Sequence, residues 1–82
     1  MTIFVSRLSF DTDSLTLREE FETYGDVSSA KVIMDPTTGR SRGFGFVEMP
    51  NDDEAFNAIE SLNRSELDGR IVDVKRVLSS DQ

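Results

Sequence analysis

Eight residues near the middle of the chain, Arg42-Gly43-Phe44-Gly45-Phe46-Val47-Glu48-Met49, restrict the possible folds more than any other stretch. In a strand, successive side chains point to opposite faces, so Arg42, Phe44, Phe46 and Glu48 share one side while Gly43, Gly45, Val47 and Met49 share the other. A half-buried strand normally turns its largest apolar groups inward. Here two phenylalanines accompany an arginine and a glutamate, and Val47 and Met49 are left for the core. The strand therefore reads as part of an exposed aromatic platform. Glycine on both sides of Phe44 leaves the ring unobstructed, at a cost in strand propensity that a purely structural strand has no reason to bear.

A chain of 82 residues makes one domain with a single small core, expected over residues 1–78 with a short polar tail, 79–82. It contains no cysteine and no histidine, which removes disulfides, thiolate nucleophiles and the commonest general base and metal ligand. No nucleophile and base stand at a recognisable spacing, so a binding protein is expected rather than an enzyme, with no cofactor and no metal. No apolar run approaches the roughly 20 residues of a membrane span, and the N-terminus lacks the features of a secretion signal. The expectation is a soluble, intracellular monomer with no membrane partner.

The net charge of −7 argues at first against a polyanionic partner. Its distribution reverses that reading. Residues 13–24 carry four acids and one base, Arg18, and residues 51–62 carry four acids and no base, so the two segments hold the whole excess and the rest of the chain sums to zero. If both are helices behind the domain, the negative charge lies away from a face bearing Arg7, Lys31, Arg40, Arg42, Lys75 and Arg76.

Along the chain, Thr2 to Ser6 alternate Ile3 and Val5 against an outward Phe4, a first strand with a further exposed aromatic. Asp13 is placed to cap a helix with Leu17, Phe21 and Tyr24 along one face, ended by Gly25. Phe10, in the loop before it, is a candidate for the aromatic platform, but a loop aromatic beside a helix start is more often a lid on the core, and that is the expectation here. A second strand sets Ala30, Val32 and Met34 inward against Lys31 and Ile33, and the turn-forming Asp35-Pro36-Thr37-Thr38-Gly39 leads through a freely moving Arg40 into the central strand. Pro50 closes that strand, and Asn51-Asp52-Asp53-Glu54 opens a helix with Ala55, Ala58, Ile59 and Leu62 on its inner side. Phe56 falls off this stripe, as the cover of a core edge or as a contact for a protein partner. A turn-rich connection from Asn63 to Gly69, with Leu67 inward, leads to a last strand from Ile71 to Val77, in which Val72 and Val74 face the core and Asp73, Lys75 and Val77 face out.

The order β-α-β-β-α-β, with four antiparallel strands and both helices on one face, is the ferredoxin-like split-βαβ arrangement of the α+β class. Residues 42–49 agree at seven of eight positions, all but Met49, with the octamer Lys/Arg-Gly-Phe/Tyr-Gly/Ala-Phe-Val-x-Phe/Tyr of the RNA-recognition motif. The string Ile3-Phe4-Val5-Ser6-Arg7-Leu8 resembles the partner hexamer of that family, which more often has Asn or Gly where this chain has Arg7. The chain resembles the family over essentially its whole length, most of all its short stand-alone bacterial members. The resemblance implies single-stranded RNA across the sheet, bases stacked on Phe4 and Phe44, and Phe46 inserted against the sugars. It also implies phosphate contacts from Arg40, Arg42 and Lys75, and base choice through Lys31, Asp73 and Lys75 with the main chain near Val77 and Leu78. Arg7 and Ile33 complete the expected contact surface. Two alternatives use the same fold: single-stranded DNA on the same face, or a protein-interaction module using the helix face near Phe56.

Overall fold

The structure, a computed structural model, describes residues 1–78; the tail expected over 79–82 lies outside them. Its elements are β1 (Thr2–Ser6), α1 (Ser14–Glu22), β2 (Ser29–Met34), β3 (Ser41–Glu48), α2 (Asp52–Leu62), the short β4 (Glu66–Leu67) and β5 (Arg70–Ile71), and β6 (Asp73–Val77). Four strands form one antiparallel sheet in the order β2-β3-β1-β6, and the inner faces of α1 and α2 pack with one side of it into a single core. That is the expected split-βαβ arrangement. Ile3 and Val5 of β1, Val32 of β2, Val47 of β3 and Val74 of β6 meet Leu17 and Phe21 of α1 and Ala55, Ala58 and Leu62 of α2. Met49, the one departure from the octamer, is fully buried among them, so an apolar core side chain stands where the family pattern has an aromatic.

The helices start where their capping residues dictate. Asp13 accepts a hydrogen bond from the Thr16 N–H at 2.8 Å, and Asn51 accepts one from the Glu54 N–H at 3.0 Å. Glu54 does not complete a reciprocal capping box; its Oε1 accepts from the Asp26 N–H at 3.1 Å and joins α2 to the turn before β2. The outer edge of β2 is also covered, since the Val32 N–H donates to the Ser14 hydroxyl at the first turn of α1.

Several expectations need correction. Phe10 is not a lid on the core: its side chain stands 68% exposed, with the ring edge beside Gly43. Met34 is 52% exposed, because α1 begins over Val32 and does not reach the next inward position. The β2–β3 ladder shifts register there: Val32 pairs with Gly45 and Met34 with Ser41, so β3 uses four steps where β2 uses two. Gly43, at φ +83°, takes the positive dihedral that this irregularity requires. Gly45 is needed for space. A Cβ there would lie 2.5 Å from the Lys31 carbonyl and 3.1 Å from the Leu17 side chain, so both glycines around Phe44 have structural reasons that the sequence reading did not credit.

The last strand begins later than expected. Ile71 belongs to the β4–β5 hairpin, paired with Glu66 and 51% exposed, and pairing with β1 starts at Asp73. Asp68 and Gly69 form its two-residue turn with φ of 51° and 85°, positive at both central positions as a type I′ hairpin demands. Leu67 is buried as expected. Arg76 does not join the basic face. It lies opposite the inward-facing Ile3, and its guanidinium sits 5.5 Å from the centroid of Phe56 on α2. The loop carrying Arg40 is tied as well: the Asp35 N–H donates to the Arg40 carbonyl and the Gly39 N–H to the Asp35 carbonyl, both at 2.7 Å, which leaves freedom only to the exposed Arg40 side chain.

Candidate nucleic-acid interface

Antiparallel pairing puts residues directly opposite one another on the same face, so the register settles which outward side chains are neighbours. Lys31 lies opposite Phe46, Phe46 opposite Phe4, and Phe4 opposite Lys75. The result is one row across all four strands with a cation at each end and two aromatics between. Phe44 stands in the next row, opposite Ser6, which in turn faces Asp73. Phe4 is 5.7 Å from Phe44 and 5.3 Å from Phe46 between ring centroids, both tilted, and Phe44 meets Phe46 edge to face at 6.4 Å. These spacings suit mutually supporting aromatic contacts. The Lys75 ammonium lies 5.6 Å from the Phe4 centroid, within cation–π range. Each ring is half-buried by its neighbours and keeps a surface open to solvent.

The other expected residues distribute around this row. Ile33 lies half-buried on β2, next to the inward-facing Val32, and Arg42 is exposed at the start of β3. Val77 and Leu78 are exposed at the far end of β6, Leu78 in the loop that follows it. Arg40 is off the sheet, in the β2–β3 loop. Arg7 has φ of 63°, a left-handed conformation that Asn and Gly adopt at lower cost than arginine. That accounts for the residues more usual at this place in the family octamer's partner hexamer. Asp73 stands between two guanidiniums, Arg7 at 3.7 Å and Arg64 at 3.4 Å. Arg64, at the end of α2, was missed by sequence reasoning. Its own φ of 68° and the hydrogen bond from its N–H to the Val72 carbonyl bring it back to the start of β6. Phe10, set aside as a core lid by sequence reasoning, is exposed beside Gly43 and lines a cleft with Arg40 and Arg42.

An open aromatic row with an ammonium group at each end has the chemistry to take planar rings on its phenylalanines while its cations meet negative charge. The family assignment follows from comparison with known proteins. Residues 3–73 match the family model of the RNA recognition motif, and the chain belongs to that family. It is 46% identical over 76 residues to the glycine-rich RNA-binding protein blt801 of Hordeum vulgare, covering 93% of this chain and 47% of that protein. It is 49% identical over 74 residues to the 29 kDa ribonucleoprotein A, chloroplastic, of Nicotiana sylvestris, covering 90% of this chain and 27% of that one. The chain thus spans about half the length, or less, of these curated relatives. Among solved structures, an RNA binding protein PG1 superposes with a TM-score of 0.92 at 44% identity, covering 100% of this chain and 99% of that chain. The second domain of this family from the yeast poly(U)-binding protein Pub1 superposes with a TM-score of 0.86 at 33% identity, covering 99% and 98%.

Proposed function

We propose that this chain binds single-stranded RNA on the β2-β3-β1-β6 face, with bases stacked on Phe4 and Phe44, Phe46 against the sugars, and Lys31, Arg42 and Lys75 on phosphates or base edges. The observation that carries this reading is the cross-strand row Lys31-Phe46-Phe4-Lys75 with Phe44 beside it. A core alone would not select three adjacent half-exposed rings on the side away from the helices. The names of the relatives and of the superposed structures agree with it. The activity is binding without catalysis. Main-chain groups near Val77 and Leu78, with Asp73, contribute to base choice. Single-stranded DNA is the competing ligand for the same face, because stacking on a ring tolerates either sugar; matched RNA and DNA oligomers titrated in parallel separate the two. The pair Phe56 and Arg76 lies on the helix side, clear of this face, and is the place for any protein partner.

The test compares two variants by thermal melt and by titration with randomised RNA oligomers. Phe44→Ala with Phe46→Ala removes the stacking of one base, worth roughly 1–3 kcal/mol, together with the ring against the sugars, so affinity falls by at least about fivefold to a hundredfold. Both rings also touch Phe4, so the melting temperature falls modestly, by an amount set by the lost ring contacts of about 0.5–1.5 kcal/mol each. Val47→Ala does the opposite: stability drops by roughly 1–3 kcal/mol while affinity per folded molecule holds. Unchanged affinity in the double phenylalanine variant would overturn the reading.

A further inference from the structure

The two edges of the sheet are finished differently. At the β2 edge the first turn of α1 closes over Val32, whose N–H donates to the Ser14 hydroxyl at 2.9 Å. At the other edge β6 pairs only with β1. Its Val74 N–H points away from β1 and donates to the Asn63 side chain at 2.9 Å. In an antiparallel ladder the main-chain groups alternate between the two sides of a strand, so the Val74 carbonyl and both main-chain groups of Arg76 also point to the open side. Among the described residues these three groups have no hydrogen-bond partner. The side chains around this edge are exposed as well: Lys75, Arg76 and Val77 within β6, Leu78 after it, and Phe56 on α2. Lys75 lies on the platform side, its ammonium 5.6 Å from the Phe4 centroid, and Arg76 lies on the helix side over Phe56. Neither forms an ion pair among the described residues.

Such an edge is a template for a further strand, and its charges select which strand. A second copy is disfavoured. Pairing β6 with itself through its open groups sets Val74 and Arg76 of one copy against Arg76 and Val74 of the other, which puts Lys75 directly opposite Lys75, a like-charge contact. The incoming strand has to bring negative charge to the platform side instead. On the helix side it meets Phe56, with Asp53 three residues before it and Glu60 four residues after it on the same face of α2, so an apolar side chain suits that side and a carboxylate does not. We propose that the open edge of β6 takes an extended segment of a partner protein as a fifth strand, in which acidic side chains beside Lys75 alternate with apolar ones against Phe56. This inference goes beyond the RNA-binding reading of the platform and does not rest on it.

The experiment titrates the protein with a fluorescein-labelled hexapeptide of alternating glutamate and valine, and with its lysine–valine counterpart. In the proposed pairing the valines lie opposite Val74 and Arg76 and exchange the main-chain hydrogen bonds, so N-methylation of the valine amides should abolish binding and N-methylation of the glutamate amides should not. The glutamate peptide should bind at least about fivefold more tightly than the lysine peptide, and should slow hydrogen exchange at the Arg76 amide. Lys75→Gln should shrink that preference, and Phe56→Ala should weaken the glutamate peptide about threefold or more. The methylated peptides probe the parent protein, so the test does not depend on either variant folding. No binding of the glutamate peptide at roughly 1 mM, equal binding of the lysine peptide, or indifference to methylation of the valine amides would each overturn the inference. A randomised RNA pool titrated in parallel keeps the two readings apart. RNA binding without peptide binding removes the edge site alone, and peptide binding without RNA binding removes the platform reading alone.

Discussion

Phe44 and Gly45 are adjacent in the chain and answer to different demands, which sets how far single residues could be understood before the fold was known. Phe44 follows from parity alone: a large ring sharing a face with Arg42 and Glu48 has to be exposed, and it is only half-buried. Gly45 does not follow from parity, because what excludes a side chain there is the Lys31 carbonyl on the neighbouring strand and Leu17 on α1. Gly45→Ala is therefore expected to destabilise by overpacking, by about 1–3 kcal/mol, or roughly 4–8 °C of melting temperature per kcal/mol in a domain of this size. A melting temperature equal to the parent's would show that β2 and α1 yield without cost. Arg7 offers the converse case. Arg7→Asn relieves part of the left-handed strain at φ 63° while giving up a partly exposed ion pair with Asp73 worth at most about 1 kcal/mol, so its melting temperature should hold or rise. A clear drop would mean that the ion pair outweighs the backbone term.

At the scale of elements, the regular strands and helices were legible because each combines a hydrophobic period with local start and stop signals. β1 falls over Thr2–Ser6 as read, and both helices begin after the capping residues Asp13 and Asn51. The irregular parts were less legible, for two different reasons. The register shift that lets β3 outrun β2 depends on where α1 stops covering the sheet, a relation that is not local in sequence. The β4–β5 hairpin did have a local signal, the Asp68-Gly69 pair at its turn, which was read only as part of a turn-rich connection because its strands are two residues long. The capped start of α1 has a titratable consequence. Hydrogen bonds from the Thr16 backbone and side chain hold the Asp13 carboxyl below its ordinary range, so the charged form is favoured in the folded state. The cap then contributes stability in full above the unfolded carboxylate value of about 3.9 and loses it as pH falls through the lower folded value. Asp13→Asn keeps a capping acceptor without a titrating proton. Its melting temperature should stay near the parent's at neutral pH and fall less steeply than the parent's below about pH 4. Parallel melts across that range check this, and identical acid limbs would rule out Asp13 as a contributor.

Over the whole molecule, an acidic protein can present a face for a polyanion because its charges are sorted by element. The eight acids of residues 13–24 and 51–62 lie on and around the helices, whereas Lys31 and Lys75 end the aromatic row and the exposed Arg40 and Arg42 line the open cleft beside the β2–β3 loop. The sequence suggested this segregation but overcounted the basic face, since the position of Arg76 opposite Ile3 turns it toward Phe56. Three or four usable cations, at about 0.7 counterion released per single-strand phosphate neutralised, correspond to a log–log dependence of RNA affinity on salt of about −2 to −3. Two further guanidiniums are present but engaged, because Asp73 is placed 3.7 Å from Arg7 and 3.4 Å from Arg64. Both arginine side chains are largely exposed, so they are held by charge rather than by burial. Removing the carboxylate charge with Asp73→Asn frees them for phosphate at little cost to the fold, since exposed pairs contribute only about 0–1 kcal/mol. Binding should then tighten at low salt, and the slope should steepen by about 0.7 for each arginine that gains a phosphate. Titrations of one RNA pool at several salt concentrations, on parent and variant, measure both quantities together. Tighter binding with an unchanged slope would assign the effect of Asp73 to a base edge instead of to the two arginines. An unchanged affinity and slope would mean that neither Arg7 nor Arg64 reaches the bound strand, and that the basic end of this face is confined to Arg40 and Arg42.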